Sequence, residues 1–299
     1  MYLERFVLPI NQEEYMIENR MKHNGGPNFG YIDNVYPCRL FSEKMLREIN
    51  FENITILYGG NGSGKSTLLN LIANKLELRR IAPFNSSELF AEYTEKCKYE
   101  MACDEDGFKH KIPDRSRIIT SDDVFDYILA VRESNRELSD CIDEVKKEWK
   151  VLRYDDTVRF NGMEDYEELR TQLLARRKTR KQYIKKVIGE EVKLNSNGET
   201  ALEYFDSNIE NDALYCLDEP ENSLSPKLQL ELVEMLQQMA RYCGCQFIIA
   251  THSPFILSLQ GARIYDLDET PVDIKKWWEL ENPRIYFEFF DKNRRFFED

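Results

Sequence analysis

No stretch of this sequence approaches the ~20 consecutive apolar residues that cross a bilayer, and its start, "MYLERFVLPINQEE", has no basic segment leading into an apolar signal region. A cytoplasmic protein without a membrane span is therefore expected. Cysteines are few and scattered: the seven fall at no metal-ligand spacing, and Cys243-Gly244-Cys245 is too tight for an ordinary zinc site or an easy disulfide. Reduced, mostly buried thiols should result. Positive charge is short as well, with 41 Lys and Arg against 54 Asp and Glu and a net charge of −13. Such a surface as a whole should repel nucleic acid and anionic membrane, so any contact of that kind must be local. A long heptad repeat is also missing, which excludes a coiled-coil rod. What remains is 299 residues, 42% of them hydrophobic, enough for a real core in one large domain or two small ones.

Against these absences stands "YGGNGSGKST", residues 58–67. Gly59 is followed by four residues and then Gly64-Lys65-Ser66, after the β-branched run "ITILY" and before the helical "TLLNLIANKL". Glycines at such a strand-to-helix turn let successive N–H groups face inward as an anion nest, and the following helix aims its positive end at the same point. Gly59, Gly60, Asn61, Gly62, Ser63, Gly64, Lys65, Ser66 and Thr67 are the expected polyphosphate cradle. Lys65 should reach the β- and γ-phosphates, and the Ser66 hydroxyl should be a ligand to Mg²⁺.

Further on, "ALYCLDEPENSLSP" carries a short apolar strand into Asp218 and Glu219. Ligands of an open parallel sheet sit at the carboxyl ends of its strands. Asp218 is the expected Mg²⁺ carboxylate, and Glu219 the base that accepts a proton from attacking water. Ser225 and Pro226 then read as N-cap and first residue of a helix with an apolar stripe of Leu228, Leu232, Met235, Leu236 and Met239, stopped by Gly244. A second buried strand in "CQFIIATHSP" ends at His252, which could contact a γ-phosphate from a fixed backbone.

Together "GGNGSGKS", "LYCLDEPENSLSP" and "FIIATHSP" resemble the ATP-binding-cassette ATPases and their soluble SMC-like relatives. Upstream, "LNSNGETALEYF" stands where transporter subunits carry Leu-Ser-Gly-Gly-Gln. Its Ser-x-Gly-Glu form, and the ending "GARIYDLDE", are similar to small bacterial AAA-type ATPases. The resemblance covers roughly residues 45–75 and 190–270. It implies that Ser196, Gly198 and Glu199 face the γ-phosphate bound by a second copy, so that an ATP-dependent homodimer encloses two nucleotides. Lys65, Glu219 and His252 would then be catalytic. The helix "TALEYFDSNI" after Glu199 would aim its positive end at that phosphate. An alternative reading makes Ser196 and Gly198 simply the cap of that helix.

The expected fold is α/β of ABC-ATPase type: a mainly parallel sheet around the phosphate loop, an amino-terminal antiparallel strand region, and an inserted helical lobe. One domain should span 1–299, with residues 85–192 as the lobe and 1–84 and 193–299 as the nucleotide-binding core. "ITSDD", residues 119–123, is the candidate loop joining lobe and core. Tyr36 or Phe41 is the candidate stacking partner for the adenine, although core packing is the commoner role for either. In "RTQLLARRKTRKQYIKK", residues 170–186, basic residues crowd one helical segment. That segment is either a solvated face or a local site for nucleic acid or an acidic partner. The functional expectation is ATP hydrolysis as a switch controlling an effector protein, in the manner of bacterial defence ATPases. The alternatives are a transporter's nucleotide-binding subunit and a DNA-repair or chromosome ATPase.

Overall fold

The computed structural model describes residues 1–24, 36–84, 86–104, 106–154, 163–188 and 196–298. Nine strands are found among them: β1 (Leu3–Val7), β2 (Glu48–Asn50), β3 (Ile54–Tyr58), β4 (Lys98–Met101), β5 (Arg117–Thr120), β6 (Leu214–Asp218), β7 (Gln246–Thr251), β8 (Arg263–Asp266) and β9 (Asp273–Lys275). Residues 1–125 and 201–299 form one compact unit, and residues 126–200 another.

The larger unit holds both sheets. Its main sheet has the order β5-β6-β7-β3-β8-β9, parallel throughout except for the antiparallel edge strand β9. β3 and β7 are buried at every residue, which is why "ITILY" and "QFIIAT" read as unbroken apolar runs and not as alternation. The second sheet, β2-β1-β4, is the antiparallel region expected near the amino terminus. Gln246, fully buried at the start of β7, ties the two sheets together. Its carbonyl accepts from the N–H groups of Tyr2 and Leu3, and its amide donates to the carbonyls of Leu3 and Glu52. Four hydrogen bonds satisfy a polar group that would be costly to bury unpaired.

Register positions the site. Tyr58 at the end of β3 lies beside Thr251 at the end of β7, and Asp218 at the end of β6 lies beside Ala250. The three central strands therefore finish at one edge, and whatever follows each of them is gathered there. Helix Lys65–Lys75 packs on β6 and β7 through Leu68, Leu69, Leu71 and Ile72, all fully buried. Burial of such side chains stabilises by about 1.5–3 kcal/mol each, which anchors the end of the phosphate loop. The helix Pro226–Tyr242 begins as expected, with Ser225 accepting from the Leu228 N–H and Pro226 in its first turn. Its buried line is Leu232, Leu236 and Ala240, with Leu228, Met235 and Met239 only half-buried beside it. Cys38, Cys97, Cys216 and Cys245 are buried, whereas Cys103 and Cys141 are exposed.

"ITSDD" is not a loop. Ile119 and Thr120 end β5, and Ser121 opens a helix that runs to Tyr154 with no residue between. Asp123 makes this junction possible. One carboxylate oxygen accepts from the backbone N–H and hydroxyl of Thr120, the other from the N–H of Ala82, so the freed amides at the turn are satisfied.

In the smaller unit, Val145, Ala175 and Tyr183 form a compact core flanked by Trp149, Leu174 and Ile184. The basic run is two helices, Tyr166–Arg177 and Arg180–Ile188, and not one. Thr179 breaks it by exchanging hydrogen bonds with Gln182 as an N-cap. Arg153 lies over the Trp149 ring and donates to the carbonyls of Ala175 and Lys178, closing the first of these helices. Arg177, Arg180, Lys181, Lys185 and Lys186 are exposed, while Arg176 is partly covered.

Candidate functional site

At the edge where β3 ends, the chain turns through residues 59–64 into the helix that begins at Lys65. Glycine is required at two points. A Cβ on Gly59 would stand 2.5 Å from the Ser63 hydroxyl oxygen, and Gly64 has φ 101° with Leu40 and Phe41 packed 3.2 Å from where its Cβ would be. The Lys65 ammonium, almost fully buried, donates to the carbonyls of Gly59 at 2.7 Å and Gly60 at 3.0 Å. Gly60, Asn61, Gly62 and Ser66 are exposed at the loop's rim, and Ser63 and Thr67 are buried beneath it. The Ser63 hydroxyl oxygen is buried without a hydrogen-bond partner, which is unspent capacity inside the nest.

Opposite the loop, Asp218 accepts the Ser66 hydroxyl proton at 3.0 Å. Burial pushes the Asp218 carboxyl up to about 6; the Glu219 and Glu221 charges add to the shift, and the Ser66 hydrogen bond and Lys65 oppose it. A hydroxyl and a carboxylate held together, with the carboxylate short of positive charge, form the hard oxygen pair that suits Mg²⁺ when substrate phosphates complete its shell. Among the described residues no group of three or more His, Cys, Asp and Glu makes a protein-only metal cage.

The raised Asp218 carboxyl has a measurable consequence. Above pH ~6 it is ionised in both folded and unfolded chains and the burial cost is complete; below pH ~4 it is protonated in both and the cost is gone. Asp218→Asn should therefore stabilise the ligand-free protein at pH 8 by about 1–3 kcal/mol. The gain should fade as pH falls from 6 to 4, read as the difference in melting temperature across pH. A gain that is flat with pH would contradict the assignment.

Glu219 has φ 48°, a left-handed conformation that a non-glycine residue holds only when its surroundings demand it. The demand is visible: its N–H donates to Ala250 on β7 and its carboxylate accepts from the Asn222 amide at 3.2 Å. This leaves the other carboxylate oxygen 3.9 Å from the Lys65 ammonium and 3.7 Å from Nδ1 of His252. His252 is half exposed just past β7. Lys65, Ser66, Asp218, Glu219 and His252 are thus brought together from two strand ends and one helix start.

Two acidic residues of the site escape sequence reasoning. Glu221, buried, accepts the Thr251 hydroxyl at 2.6 Å and the N–H groups of His252 and Ser253 at 3.0 and 3.1 Å, all on one oxygen. It fixes the backbone that presents His252. Asp268, two residues beyond β8, accepts the Gly60 N–H at 2.7 Å and so braces the phosphate loop from the β8 side. The only sequence signal for either was position: one stands two residues after the paired carboxylates, the other past a strand that neighbours β3.

Phe41 is fully buried in the core and cannot stack on a base. Tyr36 is partly exposed, donates its hydroxyl proton to Thr67 at 2.8 Å and stacks on Phe90. Ser196, Gly198 and Glu199 belong to the smaller unit. Their helix starts at Asn197, earlier than expected, and Ser196 and Glu199 form a reciprocal capping box in which the Ser196 N–H donates at 2.7 Å and the Glu199 N–H at 3.3 Å. Ser196 and Glu199 remain exposed. Leu194 and Asn195, which open the quoted signature stretch, lie outside the described residues.

Residues 191–258, which run from before the signature through Asp218, Glu219 and His252, match the family model described as "AAA domain, putative AbiEii toxin, Type IV TA system". No curated protein matches. Among solved structures, the SMC head domain from Thermotoga maritima is 14% identical with a TM-score of 0.38, covering 92% of this chain and 99% of that one. An Smc head domain from Pyrococcus furiosus, solved with an extended coiled coil and bound to the C-terminal domain of ScpA, is 12% identical with a TM-score of 0.39, covering 83% and 95%. The ATP-binding cassette MJ0796, solved as a dimer in a post-hydrolysis state with ADP and Pi, is 14% identical with a TM-score of 0.35, covering 77% and 88%. Residues 191–258 are thus similar to an AAA domain, and the Ser66–Asp218 pair stands beside the strand-to-helix loop in a P-loop-type arrangement.

Proposed function

We propose that this protein binds ATP with Mg²⁺ and hydrolyses it to ADP and phosphate as the timer of a conformational switch. The observation that supports this most directly is the convergence of Lys65, Glu219 and His252 within 4 Å contacts beside the Ser66–Asp218 pair. In the reaction, Glu219 takes a proton from the attacking water, the water oxygen bonds to the γ-phosphorus, and the bond to the β-γ bridging oxygen breaks. Lys65 offsets charge on the γ-phosphate, the loop N–H groups hold the β-phosphate, and His252, steadied through Glu221, contacts the γ-phosphate edge. Ser66 and Asp218 would hold Mg²⁺, which when bound neutralises charge across the β- and γ-oxygens. Phosphate release from ATP by the purified chain, dependent on Mg²⁺ and saturable, tests the reading. A chain that binds ATP but releases no phosphate under any metal condition would contradict it.

Switching is proposed to occur by dimer closure. Ser196, Gly198 and Glu199 of one copy would face the γ-phosphate of the other, and the start of helix Asn197–Asn208 would supply the favourable dipole. Residues 85–192 are proposed as the lobe of a single ABC-type domain. The toxin–antitoxin description of the matching family supports an effector protein as the output; we propose that it acts in the cytoplasm, in defence against phage. Among the described residues no helix is long and apolar enough to cross a membrane, so a transporter role would need another chain to supply the span.

The exposed Arg177, Arg180, Lys181, Lys185 and Lys186 favour a second reading, local contact with nucleic acid. If it holds, wild type retains DNA at low salt, and affinity falls steeply between 50 and 200 mM, by ~10³-fold or more if several phosphates are contacted. Charge reversal of Arg177, Arg180 and Lys181 should remove that retention and leave phosphate release unchanged. No retention at low salt would end this reading.

A further inference from the structure

Past β9 the chain folds back on the larger unit at one point. Leu280 is fully buried, Pro283 is buried, and the Asn282 N–H donates to the Tyr58 hydroxyl at 3.1 Å. The helix Glu281–Lys292 that follows carries an exposed aromatic surface: Phe287 and Phe289 are 68% and 59% exposed, and Phe297 beyond it 69%. Exposed apolar residues scattered singly are ordinary, but a contiguous cluster of aromatics marks a contact surface. Along one face of this helix, through Pro283, Tyr286 and Phe290, lies a cleft of about 460 Å³, within the range of sites that receive a small ligand or a partner's side chain. Trp277, Tyr286, Phe290 and Phe255 line it together with Gln229, Glu221 and His252.

Glu221 identifies the occupant. Glu221 spends one carboxylate oxygen on three donors, and its second oxygen is buried with no hydrogen-bond partner. A carboxylate with unspent acceptor capacity below aromatic faces is complementary to a cation with a flat, weakly hydrated head: the oxygen attracts the charge, and the rings attract it through their quadrupoles. Arginine fits both and also packs its stem on the walls. A membrane fits less well, because the segment from 277 to 298 mixes five acidic with four basic residues and the whole chain carries −13.

We propose that this cleft is the docking site of the partner protein, and that it receives an arginine side chain of the partner, flanked by apolar residues that lie along the exposed aromatic helix. The inference deepens the partner half of the proposed function and rests on that reading for the existence of a partner. Glu221 also holds the His252 backbone, so an arginine seated there and a nucleotide contacted by His252 share one carboxylate. Whatever coupling results is reciprocal.

The test uses the full chain without nucleotide, so that failure of hydrolysis cannot be confused with failure of docking. The probes are a short synthetic peptide with one arginine between leucines and its twin with citrulline, which keeps the shape and removes the charge. Fluorescence anisotropy should show the arginine peptide binding at least ~10-fold more tightly than the citrulline one. Tyr286→Ala and Phe290→Ala, each at a residue 51% exposed, should weaken it ~10-fold with melting temperature and ATP affinity unchanged. Equal binding of the two peptides, no binding of either, or binding indifferent to both variants would overturn the proposal. So would loss, in the same variants, of flotation with phosphatidylserine vesicles or of concentration-dependent self-association, in place of peptide binding.

Discussion

Replacement of Lys65 by alanine is expected to weaken Mg²⁺–ATP binding by ~100-fold or more, equivalent to about 2.7 kcal/mol. The ammonium sits inside the loop, donating to Gly59 and Gly60 and lying 3.9 Å from Glu219. In the variant the N–H groups of the loop remain, but γ-phosphate charge beside Glu219 and Asp218 loses the Lys65 cation that offsets it. The substitution also leaves two loop carbonyls without their donor, so some loss of thermal stability should accompany it. Calorimetry reads the binding and circular dichroism the fold. Equal affinity in a folded variant would remove the nucleotide site as described.

The second large effect is expected from Glu219→Gln. Glutamine retains the reach of the side chain, can still accept from Asn222 and costs nothing new at φ 48°. It cannot take a proton from water. Phosphate release should fall by ~10²–10⁴-fold while ATP binding persists. If Ser196 and Gly198 act across an interface, uncleaved ATP should hold two chains together, and light scattering should report a dimer with ATP and Mg²⁺ that returns to monomer with ADP. Adding Ser196→Arg should abolish that dimer and spare nucleotide binding. Ser196 also caps its own helix, so the double variant gives up about 1 kcal/mol of local stability. Its melting curve separates an unfolded signature from a blocked interface. A Glu219→Gln protein that binds ATP and stays monomeric at every concentration would remove the sandwich dimer and leave the ATP site standing.

The elements legible from the residues were those whose signal is local. β3, the loop and helix Lys65–Lys75 were read from an apolar run, closely spaced glycines and a second apolar run, because strand, turn and helix each impose their own spacing on contiguous residues. Ser225-Pro226 marked a helix start for the same reason. Where a local choice depended on a distant partner, the reading slipped. "ITSDD" looked like a loop because Ser and Asp favour turns, yet Asp123 caps a helix by reaching Thr120 and, from far along the chain, Ala82. The basic run looked continuous because the Thr179 cap interrupts it without a glycine or proline.

What this sequence determined by itself is the set of chemical parts: a strand-to-helix loop that can hold a polyphosphate, two carboxylates at one strand's end and a histidine at another's. Each is specified by neighbours in the chain. Only the tertiary structure decided that Asp218 lies against Ser66, that Glu221 holds the His252 backbone, that Asp268 braces Gly60 and that Phe41 is core while Tyr36 reaches Thr67. These are pairings between residues up to 208 positions apart. They follow from the parallel register of β6, β7, β3 and β8, and register is set by packing of whole buried strands, a property that no single segment carries.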